Sequence, residues 1–171
     1  MPRPSPDHPK RATVSQADRD GRASTHFETV CPIFRVQDLA ASIDYYVRTL
    51  GFSLDWQQDG VASVSRDDTG LFLCQGDQGN PGAWVWIGVG DAQALYEEYR
   101  AAGATVRHPP TNFDWALEIQ VEDLDGNVLR LGSAPLPDRD FGPWLDMRGN
   151  KWVQGPDGSW AQESADGQEG K

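Results

Sequence analysis

Cysteine is scarce in this 171-residue chain: Cys31 and Cys74 are the only two, each inside an apolar run of strand type, and no CxxC pair occurs. A disulfide-stapled scaffold and a structural zinc knuckle are thereby excluded, and two reduced core thiols in a cytoplasmic protein are expected. Histidine is as sparse. His8, His26 and His108 are read as exposed loop residues, and none is placed with a Ser, Cys or Asp as a nucleophile triad requires. No apolar run approaches the roughly 20 residues that span a bilayer. The basic N-terminal residues are not followed by the apolar segment of a secretory signal, so neither export nor a membrane partner is expected. Positive charge is also short, with 15 Lys and Arg against 26 Asp and Glu and a net charge of −11. The shortage is uneven. Residues 1–24 hold five basic and three acidic side chains, which leaves ten basic against 23 acidic in the remainder, a net of −13. Such a field repels nucleic acid and anionic membranes and favours cationic ligands, besides aiding solubility.

What is present is a repeat. Residues 1–25 are rich in Pro, Ser, Asp and Arg without apolar periodicity and read as a disordered tail. From residue 26 to 134 the pattern is that of a folded domain. Val30–Val36 is a strand-type run. Asp38 caps a helix whose stripe is Leu39, Ile43, Tyr46, Val47 and Leu50, and Gly51 closes it. Strands follow at Phe52–Gln57, Val61–Arg66 and Leu71–Gln75, with turns at Asp59-Gly60 and Asp67–Gly70. After the linker Gln75–Gly82 the order begins again: strand Trp84–Val89, cap Asp91, stripe Ala92, Leu95, Tyr96, Tyr99 and Ala102, closing Gly103, then strands Thr105–His108, Leu117–Glu122 and Val128–Leu131. Asp38 to Asp91 is a shift of 53 and Gly51 to Gly103 one of 52. The chain therefore reads as α+β, two tandem βαβββ modules at 27–75 and 83–132 that share a core. Residues 135–171 form a C-terminal extension. Its tryptophans Trp144, Trp152 and Trp160 are expected to dock it on the domain, and Gly155–Gly158 is expected to turn a hairpin.

Pro32–Leu39, followed by Tyr45-Tyr46 and Leu50-Gly51-Phe52, resembles the opening of a module of the glyoxalase and bleomycin-resistance superfamily, and Glu122–Asn127 resembles its closing turn. Within that superfamily the bleomycin-resistance proteins are most similar, through Leu50–Asp68, Ala83–Trp86 with Leu95–Tyr99, and Trp115 placed four residues before Ile119. The resemblance covers about residues 30–132 and implies curved, mixed half-barrel sheets. It also implies a homodimer with grooves between subunits that sequesters a small molecule without chemistry. Pro32 falls where those proteins have a proline near a first strand exchanged between subunits. Enzymes of the superfamily hold a divalent metal at four positions, which fall here on Cys31, Cys74 or Gln75, Trp84 and Arg130. Tryptophan cannot ligate and arginine repels a cation, so neither metal nor other cofactor is expected.

The candidate site is aromatic. Trp84 and Trp86 share one face of their strand, and Phe113 and Trp115 flank Asp114. The resemblance implies that Trp115 is a ring-stacking residue and that Val61 stands where a second plate, a phenylalanine, is usual. Asp55, Asp59 and Glu118 are the acids nearest this set in sequence and could meet amines, although each also fits a solvated surface position. The tryptophans equally fit a core or a dimer seam. The expected function is metal-free binding of a cationic, planar small molecule in a dimer groove. Two alternatives stay open: a metal-dependent lyase, transferase or dioxygenase with unusual ligands, and a protein whose groove is filled by its own C-terminal segment.

Overall fold

The computed structural model describes residues 29–163, apart from 147, 149 and 158. The tail expected at 1–25 lies outside the described residues. Contacts divide the chain between Val30 and Cys31, and all that follows concerns the unit that begins at Cys31.

Two copies of one topology carry the fold. The first comprises β1 (Ile33–Arg35), α1 (Leu39–Arg48), β2 (Ser53–Gln58), β3 (Val61–Arg66) and β4 (Thr69–Cys74). The second comprises β5 (Trp84–Gly88), α2 (Ala92–Ala102), β6 (Thr105–Asn112), β7 (Leu117–Glu122) and β8 (Val128–Ser133). Strand orders are β1-β4-β3-β2 and β5-β8-β7-β6, with the first strand of each module parallel to its last and the rest antiparallel. Both helices begin where an aspartate can satisfy orphan amides: Asp38 accepts from the Ala41 N–H, and Asp91 from those of Gln93 and Ala94. Gly51 (φ +71°) and Gly103 (φ +79°) supply the left-handed exits.

The helices cover one face of each sheet. Phe34, Val36, Tyr46, Leu50, Val64, Leu71 and Leu73 from the first module pack with Tyr99, Ile119, Val121, Leu129 and Leu131 from the second in one core. The repeat also locks the modules together. Tyr46, on α1, donates from its hydroxyl to Asp123 Oδ2 (3.1 Å) in the β7–β8 turn, and Tyr99, on α2, donates to the Leu50 carbonyl (3.2 Å). The Asp123 carboxylate also accepts from the backbone N–H groups of Asp125 and Asn127 and from the Asn127 side chain. Burial nonetheless holds its pKa above the ordinary value.

Several bounds differ from the sequence reading. β1 is short because only Ile33, Phe34 and Arg35 meet partners on β4. β6 continues past His108 through Pro109-Pro110 to Asn112, with register shifts on the way. Proline lacks an amide, but β6 is the edge of its sheet and the register is broken there, so the missing donors cost little. His108 is accordingly not an exposed loop residue. It sits within a strand and its Nε2 is shielded from water.

The extension adds β9 (Trp144–Leu145), β10 (Lys151–Gln154) and β11 (Trp160–Gln162), an antiparallel sheet in the order β11-β10-β9. The Gly155 N–H donates to the Ser159 carbonyl (2.7 Å) where β10 gives way to β11, while β9 has no signature in the sequence. Asp146 organises this unit by accepting from the Arg148 and Asn150 amides, the Asn150 side chain and the Trp152 indole, bonds that hold its carboxyl well below the usual range. Buried Asn112 ties the extension down through the Leu136 and Arg139 carbonyls and the Leu136 and Gly142 amides, and Arg107 donates to the Asp146 carbonyl.

Candidate functional site

Strand register arranges the helix-free face of the second sheet in rows. Trp86, Arg130, Gln120 and His108 are cross-strand neighbours in sequence across β5, β8, β7 and β6, and the next row is Gly88, Gly132, Glu118 and Thr111. The glycines have a purpose in this row. A Cβ on Gly132 would lie 3.0 Å from the Trp86 indole and one on Gly88 would lie 3.4 Å from it, so the ring lies over backbone. Glu118 is fully buried and receives two parallel bonds from Arg130, from Nε at 2.9 Å and Nη2 at 2.8 Å, plus one from Gln120 Nε2 at 3.2 Å. Among the described residues, Gln120 Oε1 and His108 Nε2 are buried without partners. His108 Nδ1 lies 2.8 Å from the Pro109 carbonyl, and burial depresses its pKa.

The extension lies over this face. Trp115 stacks on the fully buried Phe113 (4.7 Å between centroids, 3° between planes), and Trp160 leans on both rings at 5.9 and 6.2 Å. Trp144 meets Trp160 edge-on at 6.5 Å. The result is a hollow of about 560 Å³ lined by Trp86, Trp115, Arg130, Trp144, Trp152 and Trp160. Its size suits an organic ligand, and its walls suit a flat one.

The eight residues expected in one site are divided between two places. Trp86 and Trp115 line the tryptophan hollow, Phe113 backs Trp115, and Glu118 lies beneath, paired with Arg130. Glu118 is therefore not a surface acid free to meet an amine. Trp84 shares the strand face of Trp86 but not the hollow, because the Arg107 guanidinium lies over its ring at 5.3 Å. Asp55, Asp59 and Val61 belong to the other sheet. Asp55 is engaged by the Ser63 and Ser65 hydroxyls (2.9 and 2.6 Å), while Asp59 and Val61 line an open apolar hollow of about 550 Å³ with Ile33, Trp56 and Phe72. Arg130 as a liner escaped the sequence reading, as did the glycine bed of Trp86 and the walls formed by Trp144 and Trp152. The signal available was a tryptophan-rich extension following an acidic domain.

The donor set does not fit a divalent metal. Arg130 is committed to Glu118 and Trp84 to Arg107. Cys31 lies beside Gly70 and Cys74 beside Gly76, near opposite ends of β4 and about 13 Å of strand apart. Among the described residues no three His, Cys, Asp or Glu side chains gather as a ligand group, and no helix is long and apolar enough to cross a membrane.

Paired βαβββ modules, each a four-stranded mixed sheet carrying one helix, define an α+β fold of two open sheets. The family model described as Glyoxalase/Bleomycin resistance protein/Dioxygenase superfamily matches residues 25–131, and the chain belongs to that superfamily. Among solved structures it is similar to the bleomycin-binding protein of bleomycin-producing Streptomyces verticillus, solved with copper(II)-bleomycin, at 25% identity and a TM-score of 0.57 over 65% of this chain and 99% of that one. It is also similar to TnmS3, an antibiotic-binding protein of Streptomyces sp. CB03234, at 27% identity and a TM-score of 0.58 over 66% and 100%. A comparison with curated proteins gives no match.

Proposed function

We propose that this protein sequesters a planar aromatic small molecule, without metal and without chemistry, in the tryptophan hollow on its second sheet. The observation that carries this reading is the hollow itself, where five indoles surround a space of about 560 Å³. Stacking on such rings contributes little directionality but large apolar burial. The similarity to bleomycin-binding and antibiotic-binding proteins supports the same reading, with a bleomycin-type glycopeptide as one candidate. The donor set described above gives the metal-dependent alternative no support.

A homodimer belongs to this proposal. Ile33, Trp56, Val61 and Phe72 leave an apolar face uncovered on the first sheet. If that face meets the hollow of a second subunit, Val61, Asp55 and Asp59 approach Trp86 and Trp115 in one groove. Among the described residues no carboxylate lines the hollow of one subunit, so a cationic ligand would meet Asp55 and Asp59 across such a groove, and the negative field of the whole molecule draws cations to it.

A second reading is favoured by Trp144, Trp152 and Trp160, which cover part of the sheet from within the same chain. In it the extension serves as an intrinsic cover and the hollow holds no external ligand. Calorimetric titration with bleomycin and with neutral and cationic planar polycyclic compounds separates the two. Saturable binding that is weakened by about 1–3 kcal/mol in Trp115→Ala supports sequestration. No heat and no tryptophan quenching with any of them would end it.

A further inference from the structure

We infer that the tryptophan hollow selects an uncharged planar ligand bearing a hydrogen-bond acceptor, such as a ring carbonyl, and that Arg130 sets this preference. The inference rests on the stacking reading above and narrows its ligand class.

Among the described residues, Arg130 is the one charged liner of the hollow. The guanidinium spends Nε and Nη2 on Glu118, and among the described residues the remaining Nη1 has no hydrogen-bond partner. The indole N–H of Trp152 is already bonded to Asp146 at 3.0 Å, and that of Trp144 is inaccessible to water, so neither is offered to a ligand in the hollow. A ligand oxygen could therefore take a charge-assisted hydrogen bond from the Arg130 guanidinium in place of water.

Among the described residues no carboxylate lines the hollow. Glu118 is fully buried, does not line the hollow, and its oxygens already accept three bonds from Arg130 and Gln120. Asp55 is bonded to two serine hydroxyls of the first sheet, and Asp59 lies in the other hollow. The Arg130–Glu118 pair is neutral as a whole but turns its positive end toward the ligand. A cation entering here would shed water, face that end and gain only its attraction to the indoles. A neutral ring sheds far less water, stacks as well, and accepts from Arg130.

The test uses the full chain and two probes of the same ring size, neutral N-methylacridone with its ring carbonyl and the cation N-methylacridinium. Calorimetry should show N-methylacridone bound about tenfold tighter or more, the share expected of one charge-assisted hydrogen bond. The double variant Arg130→Gln/Glu118→Gln leaves no charge uncompensated and should abolish that preference by weakening the acridone about tenfold, with acridinium affinity little changed. If the double variant fails to fold, the wild-type ratio decides the question. Tighter binding of the acridinium, or an acridone affinity indifferent to the folded double variant, overturns the inference and leaves stacking intact. If neither probe binds, the stacking reading falls and the inference with it.

Discussion

Glu118 holds a carboxylate where water does not reach, and the two bonds from Arg130 make that tolerable. Removing one partner of such a pair strands the other, which typically costs about 3–5 kcal/mol. Arg130→Met should therefore lower stability in urea by about that amount, and Arg130→Met/Glu118→Leu by much less; equal losses would show that burial of the charge is not the cause. His108 offers a pH test. Burial lowers its pKa from the ordinary 6.5, so as pH falls below about 6.5 the unfolded chain takes up a proton that the folded chain refuses. Stability conferred by the neutral ring is thus full above pH 6.5 and is lost from there downward, until the folded imidazole titrates too. Unfolding midpoints at pH 7.5 and 5.5 should differ more for the natural chain than for His108→Gln. Neither residue shows its environment in sequence. Glu118 alternates correctly for an exposed strand face, and His108 stands before two prolines; both are shielded from water in the fold.

At the scale of elements, the extension is the least secured part of the described chain. β9 is tied down by Asn112 and Arg107, but the β10–β11 hairpin meets the domain through the rings of Trp160, and isolated hairpins are marginal. Its amides should exchange with deuterium well before those of β7 and β8, whose side chains fill the core; equal protection would mean that the hairpin opens only with the whole domain. A chain ending at Asp140 keeps the Leu136 and Arg139 partners of Asn112 and the entire core, which draws on residues from Phe34 to Leu131. It should unfold cooperatively in thermal scans yet bind a planar ligand about tenfold or more weaker, having lost Trp144, Trp152 and Trp160. The helices and central strands could be read from periodicity and caps because local signals and packing agree. β9 and the passage of β6 through its prolines could not, because each depends on a neighbour distant in sequence.

For the whole molecule, the uncovered face at Ile33, Trp56, Val61 and Phe72 is the strongest argument for assembly. Sedimentation equilibrium should give twice the 18.9 kDa of one chain, and Trp56→Glu, which puts a charge at a ring 44% exposed in the single chain, should return the monomer. A monomeric natural chain with binding intact would confine the site to one subunit.

The order of amino acids alone determined the repeat, the α+β class and the superfamily, and it singled out Trp86 and Trp115, which line the hollow. These depend on local rules, namely apolar spacing, aspartate caps and glycine exits recurring after about fifty residues. Tertiary structure decided which of those residues meet. Trp84 and Trp86 are two residues apart on one strand face, yet Arg107 covers the first and a bed of glycine presents the second. Asp55, Asp59 and Glu118 were alike as acids, but one sheet carries the first two and the other buries the third beneath Arg130. Partnership between side chains is set by strand register and by the path of the extension, and neither is encoded in the neighbours of any single residue.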